Sequence, residues 1–146
     1  MSVKTYDPAQ IVCTLGAIIV SGYQDGEFVK AGRDADTFTK YAGTDGEISR
    51  SRTRNKSGRV TFTLAQTSAS NDALAALALL DELSGRGVVP LMIKDLSGTT
   101  RVAAGAAWVV KPPEAAFGKE IGPREWVIDT GPVEIFNGGS DLLGGI

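Results

Sequence analysis

Apolar and polar positions alternate with period two along most of the chain, the pattern of strands with one face in a core. Val60, Phe62 and Leu64 face one way in "GRVTFTLAQ" and Thr61 and Thr63 the other. "VVPLMIKDL" (88–96), "TRVAAGAAWVV" (100–110) and "REWVIDTGPVEIF" (124–136) read as further strands, the last broken near Gly131-Pro132. In "IVCTLGAIIV" (11–20) both alternating sets are apolar or small, which predicts one strand buried on both faces. Asp25-Gly26 carries a hairpin signal followed by a strand near 28–31, and "DTFTKY" turns at Asp45-Gly46 into a returning arm at 48–54. The period changes once. "SNDALAALALLDELSGRG" opens on Ser70, Asn71 and Asp72 as N-cap candidates and closes at Gly85, predicting one helix over about 70–84. Its i, i+3, i+4, i+7 face is Ala73, Ala76, Leu77, Leu80 and Leu83, and Leu74 and Leu79 widen the apolar surface enough to touch a neighbouring subunit. The expectation is a mainly β fold: a β-sandwich or small barrel, one flanking helix, and an extended polar arm over about 42–58. All 146 residues read as one domain, with a flexible N-terminus and a loosely held glycine-rich tail at 137–146.

Composition removes several functions. No histidine is present, and Cys13 is the only cysteine. Ser-His-Asp and Cys-His catalysis, imidazole or thiolate metal sites and internal disulfides are therefore excluded. Cys13 reads as a small core residue. The ten-residue apolar run at 11–20 is too short to span a bilayer and lacks the flanks of a signal peptide, so a cytosolic chain without membrane insertion is expected. No Walker loop or G-x-G-x-x-G string occurs. Asp34 and Asp36 begin like a calcium loop, but Phe38 stands at the next ligand position. Acid pairs such as Glu27 with Asp34 or Asp81 with Glu82 read as solvated. Neither an enzyme nor a cofactor site is indicated.

Charge supplies the most specific signal. The net charge is −2, but residues 48–71 hold no acid and carry +5. The rest has 10 basic and 17 acidic residues and carries −7. In a strand Arg50, Arg52, Arg54 and Lys56 share one face, opposite Ser49, Ser51, Thr53 and Asn55. Neither face is apolar, so the arm should project from the domain. A nucleic-acid ribbon would want aromatic partners, and none lies between Ile48 and Phe62. A solvated edge strand is the plain alternative. Contact with an acidic surface on another copy is favoured, because Asp34, Asp36, Asp45 and Glu47 (with Asp25 and Glu27) precede the row. The expected inter-subunit contacts are those four acids, the four cations, Leu74 and Leu79.

The turn at 45–47, Arg50-Ser51, the strand at 57–64, the helix opening at 66–72, Pro112-Pro113, Phe117 to Glu120, and Arg124 to Trp126 follow one another in a fixed order. This ordered set resembles the tail tube proteins of contractile-tailed bacteriophages, the family typified by that of phage PhiTE. The resemblance spans roughly 15–128. It implies a fold shared with the hexameric ring protein of type VI secretion. It also implies six-subunit rings stacked as the inner tail tube, through which DNA passes without specific binding. Implied partners are further copies, the sheath, tape-measure, baseplate and terminator proteins. The implied place is the virion tail, after assembly in the bacterial cytoplasm. A related ring or adaptor (secretion-system ring, terminator, baseplate component) is the alternative, and a nucleic-acid module a more distant one.

Overall fold

The structure is a computed structural model describing residues 3–141. Its first departure from the sequence reading is at the longest apolar run. The chain folds back there: β1 (Ile11–Leu15) and β2 (Ile18–Val20) pair antiparallel, with Leu15 opposite Ile18. The turn lies at Gly16-Ala17, with the Gly16 N–H donating to the Pro90 carbonyl at 2.7 Å. Only one face is buried, by Cys13, Leu15 and Val20, while Ile19 stands out in solvent.

Five further strands complete the main sheet. They are β3 (Val29–Arg33), β6 (Ser57–Ala65), β7 (Val89–Asp95), β8 (Arg101–Lys111) and β9 (Pro123–Phe136). The antiparallel order is β2-β1-β7-β8-β9-β6-β3. Laid flat, β2 and β6 would stand about 24 Å apart, five spacings of about 4.8 Å. Yet Val20 lies three residues before Tyr23, a reach of at most about 11 Å, and Tyr23 bridges Leu64 of β6. The sheet therefore curls, drawing its β2 end back toward β6. Its inner face encloses one cluster including Cys13, Leu15, Phe62, Leu64, Leu91, Ala107 and Ile128.

Strand β9 does not break at Gly131-Pro132. Thr130 pairs with Gly58 and Pro132 with Ser57, so Gly131 is an extra residue in a bulge. The bulge changes which residues point inward, from Ile128 and Thr130 to Val133. Gly58 is also crowded from both sides: a Cβ there would sit 2.6 Å from the Gly32 oxygen of β3 and 2.8 Å from Val133 Cγ1 of β9, leaving room for no other residue. Asp25-Gly26 makes no hairpin between neighbouring strands either. Gln24 N–H donates to the Thr63 carbonyl at 3.1 Å and Thr63 N–H to the Phe28 carbonyl at 2.8 Å. Residues 25–27 are thus an excursion anchored at both ends on one residue of β6.

Helix α1 (Ser70–Ser84) has the predicted span and ends at Gly85. Its rotation differs. Leu74 is 0% exposed in the core, with Leu77 and Ala78 packed beside it, whereas Leu80 and Leu83 face outward. Apolar residues surround this helix, so periodicity could not choose a face. Polar anchors choose it instead. Ser70 Oγ accepts from Ser21 N–H at 3.0 Å, and Asn71 Oδ1 accepts from the Trp126 indole at 2.9 Å while its amide donates to the Ala65 carbonyl. The cap position falls to Ala69, which makes no side-chain cap bond. Asn71→Ala strands the indole N–H of Trp126, which is almost wholly buried. It should cost about 1–3 kcal/mol, read as a lowered urea midpoint with an unchanged m-value.

The start of the expected loose tail is docked. Ser140 bridges Gly98, Thr99 N–H donates to Gly139, and Asp141 N–H to Ser97 at 2.8 Å. Residues 1–2 and 142–146, where flexibility was also expected, lie outside the described residues. Docking seals Asp95, 3% exposed, which accepts from Ser97 N–H, Ser97 Oγ and Ser140 Oγ. Burial pushes this carboxyl up, but the three donors outweigh it and hold it below the usual carboxylate value. A lowered folded-state pKa adds stability above the unfolded value, about 3.9, which is lost as pH falls through the folded one. Asp95→Asn should therefore be less stable at neutral pH, and its stability should fall less steeply below about pH 4 in pH-dependent urea titrations.

Candidate assembly interface

Strands β4 (Phe38–Ala42) and β5 (Ile48–Arg52) pair only with each other. Every one of their residues is exposed, so the projecting arm expected from the sequence is present. Its limits shift, however, from 42–58 to 38–52, because residues from Ser57 onward belong to β6. The tip is set locally. Gly43 N–H donates to the Glu47 carbonyl at 2.8 Å, Asp45 Oδ1 accepts from Glu47 N–H at 3.0 Å, and Gly46 adopts φ 86°, which an L side chain resists. At the neck, Thr53 N–H donates to Thr37 and Asp34 N–H to Ser57. Asp34 Oδ2 and Asn55 Oδ1 both accept from the Ser57 hydroxyl. Behind the neck, the Arg33 guanidinium donates twice to the Val133 carbonyl and lies 3.6 Å from Glu134.

The cation row is shorter than expected, and it has company. Lys40 faces Arg50 and Phe38 faces Arg52 across the hairpin, with Ala42 opposite Ile48. Directly opposed residues share a face, so one face carries Phe38, Lys40, Ala42, Ile48, Arg50 and Arg52. The Arg50 guanidinium lies 4.0 Å from the centre of the Phe38 ring, a cation–π contact. Arg54 lies past the strand's end, exposed. Lys56 is not on the arm; its ammonium is 3.5 Å from Glu134 on β9. The expectation of two purely polar faces is corrected: Ile48 is 63% exposed on the cationic face and Tyr41 69% on the other. An aromatic does accompany the arginines, from the partner strand. Pairing "DTFTKYA" with "ISRSR" across Asp45-Gly46 was the sequence signal for Phe38 and Lys40.

The expected acids separate. Asp34 and Asp36 sit at the neck, Asp45 shapes the tip, and Glu47 is exposed beside it. Among the described residues none pairs with Arg50, Arg52 or Arg54. The ion pairs there are Arg33 and Lys56 with Glu134, and Arg59 with Asp129 at 2.8 Å. Leu74, expected at a subunit contact, is core. Leu79 is exposed and borders a shallow cleft with Val110 and Pro112. Cys13 is buried as expected, and burial pushes its thiol up to about 11. Asp25 and Glu27 edge a cavity of about 780 Å³ whose floor includes Val29, Ala31, Ile93, Val102 and Ile135.

A family model described as "Bacteriophage PhiTE tail tube protein" matches residues 6–138. The chain belongs to the PhiTE tail tube family. It is a structural phage protein, not an enzyme, and a component of the tail. "Structural protein ORF10" of Pseudomonas phage KPP10 is 31% identical over 148 residues, covering 96% of this chain and 86% of that protein. Contractile injection systems supply solved structures with the same fold. The cap of the anti-feeding prophage, described as a tube terminating cap, has a TM-score of 0.63 at 14% identity, covering 93% of this chain and 94% of its own. A chain of the PVC sheath/tube terminator in the extended state has a TM-score of 0.57 at 10% identity, covering 94% of this chain and all of the other. A chain of the PVC sheath-tube complex in the extended state gives 0.55 at 11% identity, with 90% and 91% covered. The PhiTE-family chain is thus mainly β with one flanking helix, as the sequence pattern predicts.

Proposed function

We propose that this PhiTE-family chain is the repeating subunit of the inner tube of a contractile phage tail. Six copies close a ring, and rings stack into a conduit through which DNA leaves the virion. The observation that carries this reading is the β4–β5 arm. Both its strands are exposed, it pairs with no other strand among the described residues, and it presents aromatic, aliphatic and cationic groups together, the composition of a surface covered by a partner. The sheath, tape-measure, baseplate and terminator roles divide accordingly. The tube copies contact one another through the arm, the sheath wraps outside, the tape measure fills the lumen, and baseplate and terminator close the ends. Assembly takes place in the host cytoplasm. The net charge of −2 suits a conduit, since adhesive phosphate contacts would hold DNA back.

A second reading is a terminating ring, supported by the likeness to the anti-feeding prophage cap. Negative-stain electron microscopy of the purified chain over a concentration series, with light scattering, separates the two. Hollow tubes of uniform width and growing length are expected. Rings that never lengthen would make it a terminator, and a monomer at every concentration would overturn self-assembly. Retention on DNA at low salt by that monomer would favour the nucleic-acid module.

A further inference from the structure

The open side of the core is a groove with an acidic rim. Val29 and Ala31 line it from β3, Ile93 from β7, Val102 from β8 and Ile135 from β9. These side chains lie against the core cluster or belong to it. The rim is the excursion at residues 25–27. Both its ends are held on Thr63, and the Gln24 amide donates across it to the Glu27 carbonyl at 2.9 Å. Asp25 and Glu27 are therefore fixed beside an apolar floor. Both are exposed, and among the described residues neither has an ion-pair partner.

The arm's cationic face has the reciprocal composition, with Lys40, Arg50 and Arg52 interleaved with Phe38, Ala42 and Ile48. We propose that the acid-rimmed groove receives the β4–β5 arm of a second copy of this chain, its apolar residues on the floor and its cations against Asp25 and Glu27. The assignment rests on the tube-subunit reading and gives that contact a receptor. Two observations support it. Charge and apolarity match together, which a solvated edge would not require. The arm also leaves the far end of β3 from the acid-bearing excursion, and its strands are exposed and pair only with each other, so the proposed occupant is the arm of another copy. An arm-to-groove contact is heterologous: each copy gives one surface and takes the other, so the contact does not close after two copies but passes on from copy to copy, around a ring or along a stack.

Cysteine pairing tests this directly, because Cys13 is fully buried and stays silent toward thiol reagents. Glu27→Cys and Arg52→Cys chains are mixed, assembled and treated with a short bifunctional thiol cross-linker. A mixed dimer that forms in tubes and disappears on dilution to monomer is expected. Tubes that give no mixed dimer overturn the proposal. So does a cross-link from Glu27→Cys to Leu142→Cys of the same chain, which would give the groove to the chain's own tail. Charge exchange is the second arm. D25K/E27K should raise the concentration needed for tubes at least tenfold, and adding K40E/R50E/R52E to the same chain should restore it. Tubes of normal length from D25K/E27K alone overturn the assignment while leaving the tube reading standing. A wild-type chain that never assembles overturns the tube reading itself.

Discussion

Phe62→Ala should come close to unfolding this protein. Phe62 is fully buried and the largest such side chain. Its backbone pairs with Val29 of β3 on one side and Trp126 of β9 on the other, so β6 is hydrogen-bonded along both edges of the curled sheet. Truncating a buried phenylalanine costs about 3–5 kcal/mol, the transfer term plus the cavity left behind. A domain of this size is stabilised by roughly 5–15 kcal/mol in total. The variant should lose about 6–20 °C of melting temperature, at about 2–4 °C per kcal/mol. The cavity cannot close readily, because strands on both sides hold it open through backbone bonds. Thermal melts followed by circular dichroism read the effect. A loss below about 1 kcal/mol would mean that the curled sheet does not enclose Phe62 as described.

The second large effect is on assembly and spares the fold. K40E/R50E/R52E reverses three charges at exposed positions of the hairpin, so the melting temperature should stay within about 2 °C, as for exposed substitutions. Stacking should fail. Each arm would carry three acids toward an acidic rim, and like charges facing each other across an interface cost several kcal/mol. Every 1.4 kcal/mol is a tenfold change in affinity, so tubes should vanish at concentrations where wild type makes them. Light scattering would stay at the ring or monomer level. The wild-type contact should also weaken as salt rises past about 0.15 M, but not disappear, because Phe38 and Ile48 contribute independently of screening. Normal tubes from the triple variant would remove the arm from the stacking contact.

What the sequence made legible follows from which forces are local. The helix span was readable because Gly85 ends it whatever surrounds it. Strand β6 was readable because Val60, Phe62 and Leu64 alternate against threonines. The arm's existence followed from its polarity and from Asp45-Gly46. Features decided by distant partners were not legible. The β1–β2 turn depends on Pro90 receiving the Gly16 N–H, and the helix face on Ser21 and Trp126. The tail's docking depends on Asp95, more than 40 residues earlier. Half of the candidate site was hidden for the same reason. The arginines were seen as a row within one strand, whereas the exposed cationic face is made by two strands, and Lys56 leaves the row for Glu134.

The order in which the pieces form along the chain has a kinetic meaning. The arm closes over a few residues, between Ala42 and Ile48. The groove needs β1 paired with β7, β8 with β9, and β9 with β6, contacts that span most of the chain and form slowly. During synthesis the arm is therefore complete while the groove still lacks its last wall. On the arm-to-groove assignment, an unfinished chain can give but cannot receive. It would end a growing stack and could not extend one, so tube growth is reserved for chains that have been made and folded to the end.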